Sequence, residues 1–235
     1  NYAWRNLLTR PMRAALALIG LSIPILGVLG LFSVSGGLRN LIGNTLNQIQ
    51  GVIVMRENAL TPVFSDLPAS LADRIRQVPG VRSVALELLK TAPAIEGRGS
   101  ILDTTVGLLN PGRSKQQKMQ SLLDQPLVEG QDIPSHQGLK SSIYPTKMLP
   151  PGKGGGRFLN LSDRGQPHIV ISTKLAREFP VVGADGTSRP RRVGDSLRLG
   201  DKEFTIIGIY ETGSMFLDTV ILMSIESARE LLGTS

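Results

Sequence analysis

One uncharged run near the start of the chain limits what the chain can fold into. It extends from Ala14 to Leu38, between Arg13 and Arg39, and contains no Asp, Glu, Lys or Arg. A helix of this length can cross the hydrocarbon core of a bilayer. A buried core helix would show a polar face, and a cleaved signal peptide would have a shorter apolar region before a small-residue cleavage site. The run therefore favours an uncleaved transmembrane helix over residues 14–38.

The charges that flank this span predict its orientation. Arg5, Arg10 and Arg13 precede it, and no acidic residue occurs before Glu57. Positively charged residues next to a span tend to remain in the cytoplasm. We therefore expect residues 1–13 to be cytoplasmic and the chain beyond the span to lie on the other side of the membrane.

The composition argues against nucleic-acid binding, although the net charge is +7. The first 39 residues hold four arginines and no acid, whereas the remainder carries 22 basic and 19 acidic side chains. Aromatic residues make up only 4% of the chain, so few side chains could stack on bases. The absence of cysteine excludes disulfides and thiol catalysis. We predict no nucleic-acid partner.

The residues that follow the span predict alternating helices and strands. Helical spacing of apolar residues continues to about residue 50, and the apolar run Val52–Met55 is typical of a buried strand. A helix is predicted over residues 68–78, because Pro68 suits a first turn and Pro79-Gly80 ends it. Further strands are predicted over residues 81–89 and 102–109. This alternation indicates an α+β domain with helices packed on a sheet.

Residues 134–167 lack a regular pattern and are predicted to form an irregular inserted surface loop. They contain the glycine-rich run from Gly152 to Arg157. A phosphate-binding Walker A loop has the form Gly-x-x-x-x-Gly-Lys-Ser/Thr between a strand and a helix. Here Lys153 precedes the glycines and no Ser or Thr follows them, so the run does not predict nucleotide binding.

The last third of the chain again predicts alternating strands and helices. Short apolar runs indicate strands, and each predicted helix follows a residue that can cap it. In chain order, the predicted elements are a strand at 169–171, a helix from Ser172 or Thr173 to Phe179, a hairpin of 196–199 and 203–210, a strand at 219–223, and a helix that begins after Ser224 and ends at Gly233.

No motif in the chain predicts catalysis. The two histidines, His136 and His168, are far apart in sequence, and neither His-Glu-x-x-His nor Gly-x-Ser-x-Gly occurs. We therefore predict no catalytic residue, no cofactor-binding residue and no metal ligand, and a domain beyond the span that is not an enzyme. The apolar triplet Met215, Phe216 and Leu217 has two interpretations: it is either part of the core or an exposed tip that contacts a partner.

Several segments, taken together and in this order, resemble the periplasmic core domain of MacB/FtsX-like ABC transporter permeases. Each segment alone consists mainly of apolar pattern and turn glycines, and their shared order carries the resemblance. The segments are Arg5–Arg13 before the span, Val78–Val84, Leu127–Gly130, Ile169–Phe179, Val193–Leu197, Phe204–Tyr210 and Met223–Leu232.

This resemblance implies a fold and a set of partners. The fold is α+β: an N-terminal transmembrane helix followed by a mixed α/β periplasmic domain over residues 51–235, with a variable inserted subdomain near 134–167. Such permeases have four spans in a bacterial inner membrane, and they work as pairs with ABC ATPase subunits that bind the ATP. The expected partners are therefore an ATPase subunit, a second permease copy, membrane lipid, and a periplasmic adaptor or substrate. No cofactor is expected in this chain itself.

The resemblance also places the residues before the span close to the ATPase. The candidates for coupling are Tyr2, Trp4, Arg5, Arg10 and Arg13. Tyr and Trp are also common at the membrane–water interface, so these residues can equally serve as interfacial anchors. An alternative for the whole protein is a single-pass, membrane-anchored binding or scaffold protein, which three further apolar runs in the parent gene would exclude.

Overall fold

The computed structural model describes residues 11–46, 51–59, 62–99, 112, 125–139, 142–183 and 185–234. The chain divides into two compact units, Asn1–Asn47 and Gln48–Ser235. The first unit contains one long helix, and the second contains a mixed α/β domain built on a six-stranded sheet.

The first unit is formed by helix α1, Pro11–Leu46. Within it, Leu18–Gly37 is long and apolar enough to cross a membrane, and the described part of the chain contains one such helix. The apolar side chains described along this stretch are exposed, as expected of a helix that no protein core surrounds. The helix continues through Pro24, a residue that membrane helices tolerate.

The second unit contains a six-stranded mixed sheet in the order β1-β2-β8-β3-β7-β6, and a separate hairpin of β4 and β5. Strand β2 is parallel to β8 and β3 is parallel to β7, whereas the other neighbouring pairs are antiparallel. The strands are β1 Glu87–Thr91, β2 Leu127–Gln131, β3 His168–Ser172, β4 Val181–Val182, β5 Ser188–Arg189, β6 Ser196–Leu199, β7 Lys202–Tyr210 and β8 Val220–Ser224.

Among the described residues, five short α-helices and four 3-10 turns surround these strands. The α-helices are α2 Leu71–Arg76, α3 Ile133–Gln137, α4 Ile143–Thr146, α5 Thr173–Glu178 and α6 Ile225–Leu232. The 3-10 turns are Pro62–Phe64, Pro151–Lys153, Leu161–Asp163 and Leu217–Thr219.

Both faces of the central strands of the sheet are buried, and different parts of the chain bury them. On one face, helices α5 and α6 supply Leu175 and Ala228 to a core with the inward residues of the central strands. On the other face, Tyr144 and Leu159 pack against Tyr210 and its neighbours. We call residues 133–139 and 142–159 the cover, and the face beneath them the cover face.

The strands and helices predicted for the last third of the chain are confirmed, with boundaries within about two residues. Their end signals act as expected: Ser172 Oγ accepts a 3.1 Å hydrogen bond from the Leu175 amide, and Ser224 Oγ accepts one of 3.2 Å from the Ser227 amide. Gly233 ends α6 in the left-handed conformation that favours glycine. Local signals were sufficient here because each element carries its own boundaries.

The segments nearer the span differ from their predictions. The helix predicted over 68–78 is limited to α2, and the strand predicted over 81–89 begins only at Glu87. The prediction of a buried strand at Val52–Met55 is wrong: these residues are exposed and form no strand. An apolar run becomes a strand only where another strand accepts its hydrogen bonds, and the described residues supply none here. The strand predicted at 102–109 lies outside the described residues, as do residues 47–50 of the predicted helical extension.

The described residues of the interval 134–167, predicted to be an irregular surface loop, pack against the sheet. Strand β7 is longer than β6, so the edge beyond their pairing is free for the cover. The Leu149 amide donates to the Ile209 carbonyl and the Ile209 amide donates to the Gly155 carbonyl, both at 2.9 Å. The Arg157 amide donates to the Ile207 carbonyl at 3.0 Å. The glycine-rich run therefore lies along the sheet edge, where its small residues let two backbones approach closely.

Candidate functional site

Four of the five residues predicted to couple to an ATPase, Tyr2, Trp4, Arg5 and Arg10, lie outside the described residues. Arg13 lies in α1, and its side chain is not among those described. Their assignment as coupling residues or interfacial anchors stays a prediction.

The apolar triplet Met215, Phe216 and Leu217, interpreted from sequence as either core or an exposed tip, lies between β7 and β8 and is divided between surface and core. Met215 is 36% exposed, Phe216 is half-buried, and half-buried Leu217 packs against the cover-face core. The two interpretations of this triplet thus apply to different residues. Met215 is the member available to a partner, and its contact with one stays a prediction.

A buried carboxylate, Asp218, organises the loop that carries this triplet. Its Oδ1 accepts hydrogen bonds from the Thr212 amide at 2.9 Å and from the Thr212 hydroxyl at 2.8 Å, and its Oδ2 accepts one from the Gly213 amide at 3.2 Å. The Ser172 hydroxyl donates to the Asp218 carbonyl. These bonds join the two ends of the loop to each other and to β3, so the triplet has a fixed location.

A second buried carboxylate, Asp163, connects the end of the cover to β3. The Arg157 guanidinium donates two hydrogen bonds to it, at 2.6 and 2.8 Å, and the His168 ring lies 2.7 Å from its Oδ1. The Asn160 amide donates a further bond of 2.8 Å. Burial would raise the pKa of Asp163, but these hydrogen bonds, led by those from Arg157, outweigh it and lower the pKa from 3.8 to about 2.

This shift predicts how stability depends on acid. A carboxyl whose pKa is lower in the folded state binds protons more readily when unfolded, so its stabilisation is lost as the pH falls through the folded pKa. We expect the contribution of Asp163 to be complete above about pH 4 and to disappear as the pH approaches 2. The Tm difference between the wild type and Asp163→Asn should therefore shrink over that interval; a difference that stays constant would contradict the assignment.

A third cluster lies at the cover face and brings together residues that are distant in sequence. Glu129 of β2 and His136 of α3 are buried, whereas the side chain of Glu87 in β1 is 48% exposed. The His136 Nε2 atom is 2.9 Å from Glu87 Oε1. One ligand atom from each residue lies within 4.8 Å of the other two. Gln131, on the same strand face, donates a 2.7 Å hydrogen bond from Nε2 to Glu129 Oε1.

The environment of this cluster shifts the pKa values of its members upwards. Burial, followed by repulsion from Glu87, raises the pKa of Glu129 from 4.5 to about 7. Burial alone would lower the pKa of His136, but its hydrogen bond and charge interaction with Glu87 outweigh this and raise it. Burial, followed by the charge of Glu129, raises the pKa of Tyr144. Each of these three groups therefore keeps its proton to a higher pH than it would in water.

The prediction from sequence that no metal ligands exist missed this arrangement. Glu87 is separated from Glu129 by 42 residues and from His136 by 49 residues, far outside any local metal motif. The local signal that could have indicated it is a carboxylate, Glu129, within a strand whose other central positions are apolar or glycine. Chemically, an imidazole nitrogen and two carboxylates can hold a metal ion.

The solved structures that resemble this chain include two transporter domains. One is the extracellular domain of the noncanonic ABC-type transporter YknZ from Gram-positive bacteria, with 15% identity, a TM-score of 0.41, and coverage of 72% of this chain and 67% of that chain. The other is the periplasmic region of MacB from Actinobacillus actinomycetemcomitans, with 11% identity, a TM-score of 0.43, and coverage of 77% and 67%.

Among curated proteins, no significant match was found. The family model of the MacB-like periplasmic core domain, in contrast, matches residues 14–235, nearly the whole chain. The match includes the apolar helix as well as the mixed α/β domain. The chain therefore belongs to the MacB-like periplasmic core domain family of ABC transporter permeases.

Proposed function

We propose that this chain is part of the permease subunit of a MacB/FtsX-like ABC transporter. Its extracytoplasmic domain moves when a separate ATPase subunit or domain hydrolyses ATP, and this motion acts on periplasmic partners or expels substrates. A second permease copy completes the assembly. The observation that carries the proposal is the family match, because it covers both the apolar helix and the domain that follows it.

The long first helix supports a mechanical role. Helix α1 has 36 residues, which corresponds to about 54 Å at 1.5 Å per residue. The hydrocarbon core of a bilayer is about 30 Å thick. The helix therefore continues well past the length that a membrane requires, and a continuous helix can carry a displacement along its axis.

Buried strands and buried hydrogen bonds in the described part of the second unit support such a role. Its central strands are buried on both faces, and hydrogen bonds of Asp163 and Asp218 connect loops to the sheet. A domain held in this way can move as a body without rearranging its core.

The topology of the protein gives a first test. The chain contains no cysteine, so single cysteines can be introduced without background labelling. We expect Asp201→Cys, in the exposed turn between β6 and β7, to react with a membrane-impermeant maleimide in intact cells, and Thr9→Cys to react only after lysis. The reverse pattern would contradict the proposed orientation, in which residues 1–13 are cytoplasmic and the domain is periplasmic.

A test of the coupling between ATP hydrolysis and domain motion requires the complete transporter. We expect spin labels at Asp201→Cys in two permease copies to change their separation when ATP is added to the transporter in nanodiscs. An ATPase variant that cannot hydrolyse ATP is the control, and it should prevent turnover-dependent changes. A separation that is the same with and without ATP would contradict the proposed motion.

The parent gene distinguishes the permease from the single-pass alternative. Three further apolar runs after codon 235, next to an ATPase gene or fused to an ATPase domain, would support a four-span permease. A stop codon close to Ser235 would instead leave a single-pass binding or scaffold protein.

A further inference from the structure

Three potential metal ligands converge at one edge of the cover face. Glu87 comes from the edge strand β1, Glu129 from its neighbour β2, and His136 from helix α3 of the cover. Register places them together: Glu87 pairs with Gln131 and Leu89 pairs with Glu129, so both glutamates project from the same face. Because Asp132 and Pro134 begin α3 directly after β2, the helix returns His136 to this face.

The hydrogen bond made by Nδ1 of His136 determines whether Nε2 of the same ring carries a hydrogen or a lone pair. His136 Nδ1 lies 3.0 Å from the Asp132 carbonyl oxygen, an acceptor, so Nδ1 must carry the hydrogen. In a neutral ring, Nε2 then presents a lone pair, and it lies 2.9 Å from Glu87 Oε1, which is also an acceptor. Two acceptors at this distance require a cation between or beside them, either a proton or a metal ion.

The two carboxylates of the cluster have no permanently charged partner among the described residues. Within the part of the chain that the structure describes, the ion pairs give neither Glu87 nor Glu129 a lysine or arginine partner. The other histidine shows the contrast. His168 also contacts a buried carboxylate, Asp163, but there Arg157 supplies the positive charge. The cluster around His136 lacks such a residue, so its neutralising charge must come from a proton or from a bound cation.

We propose that Glu87, Glu129 and His136 form a binding site for a divalent transition-metal ion, with Zn²⁺ as the best match. One imidazole nitrogen and two carboxylate oxygens are ligands that Zn²⁺ uses, whereas Mg²⁺ and Ca²⁺ prefer oxygen ligands alone. The half-exposed side chain of Glu87 leaves a route from solvent and room for water as a further ligand.

The outer contacts of the cluster match those of known zinc ligands. A histidine that binds metal usually donates its other ring N–H to a carbonyl or carboxylate, as His136 does to Asp132. A carboxylate ligand is usually held by a further hydrogen bond, as Glu129 is by Gln131. The ion would join β1, β2 and α3, and so hold the beginning of the cover on the sheet.

Zinc titration of the metal-stripped, full-length protein in detergent, without a polyhistidine tag, tests this site. We expect one Zn²⁺ per chain by isothermal titration calorimetry near pH 7.5. The variants Glu87→Gln and His136→Gln should each weaken binding at least about 10-fold. His168→Gln is the matched control, since it removes the other histidine, and it should leave the affinity unchanged.

Cobalt provides a second readout. Co²⁺ bound to nitrogen and oxygen in a tetrahedral site absorbs strongly in the visible range, so the wild type and His168→Gln should develop these bands and Glu87→Gln should not. Glu87→Gln keeps the test decisive if His136→Gln fails to fold, because Glu87 lies at an exposed edge. The absence of stoichiometric zinc binding, or equal affinity in the wild type and Glu87→Gln, would overturn the proposal and leave a proton as the cation in this cluster.

Discussion

Alanine in place of Gly155 should separate the cover from the sheet. An added Cβ would overlap the carbonyl oxygen of Leu149, which is backbone and cannot rotate away. Relief of this overlap requires the segment to move, and that movement breaks the hydrogen bond from the Ile209 amide to the Gly155 carbonyl. We expect a loss of about 3 kcal/mol in the free energy of unfolding, which corresponds to a Tm lower by roughly 6–12 °C.

The same glycine-rich run provides the control. Gly152 has open space where a Cβ would project, and no left-handed backbone, so Gly152→Ala should leave the Tm unchanged or slightly higher. Near-ultraviolet circular dichroism can follow unfolding at this face, because the buried rings of Tyr144 and Tyr210 lie edge to face with centroids 5.0 Å apart. Equal melting of the two variants would show that the run does not lie against Leu149 as described.

Removal of the Asp218 carboxylate should disorder the loop that carries Met215. Asp218→Ala leaves the buried Thr212 amide and the Thr212 hydroxyl without their acceptor, and it also removes the bond from the Gly213 amide. Hydrogen bonds to a charged acceptor contribute about 1.5–3 kcal/mol each, and a buried donor without a partner carries its own cost. We expect a loss of about 4 kcal/mol and a Tm lower by roughly 8–16 °C.

A similar motif in an exposed turn distinguishes the effect of burial on stability from the effect of the hydrogen bonds themselves. Asp185 Oδ1 accepts bonds from the Thr187 amide at 3.0 Å and from the Thr187 hydroxyl at 2.6 Å, much as Asp218 binds Thr212. Water can replace these bonds at the surface, so Asp185→Ala should change the Tm very little. Hydrogen exchange should increase in residues 211–219 of Asp218→Ala alone. Unchanged protection of the Thr212 amide in that variant would contradict this account.

Local signals explain why much of the fold could be predicted. The apolar run Ala14–Leu38 lies within α1, since its length and lack of charge are properties of the segment itself. Strand β8 and helix α6 follow from an apolar run, the cap Ser224 and the closing Gly233. In these segments, the residues that determine the conformation are neighbours in sequence.

The prediction at Val52–Met55 failed because its outcome depends on a partner. The apolar pattern is as strong as that of β8, but β8 lies between β2 and β3, whereas residues 52–55 are exposed. The opposite error occurred at the cover, where a segment without a strand pattern pairs with the sheet. Its glycines and prolines predict an irregular loop, yet the free edge of β7 accepts hydrogen bonds from this segment. Neither result can be read from the segment alone, since strand pairing is a property of two segments.

The sequence alone determined the long apolar helix, the class of the domain, the helices and strands near its end, and the resemblance to a permease family. These features arise from the length of apolar runs, from their period, and from caps and turn residues within a few positions. The tertiary structure alone decided the strand order, the role of the cover, and the meeting of Glu87, Glu129 and His136. The physical reason is that burial and electrostatic contact depend on distance in space, and the fold brings these three residues within 4.8 Å across up to 49 positions of sequence.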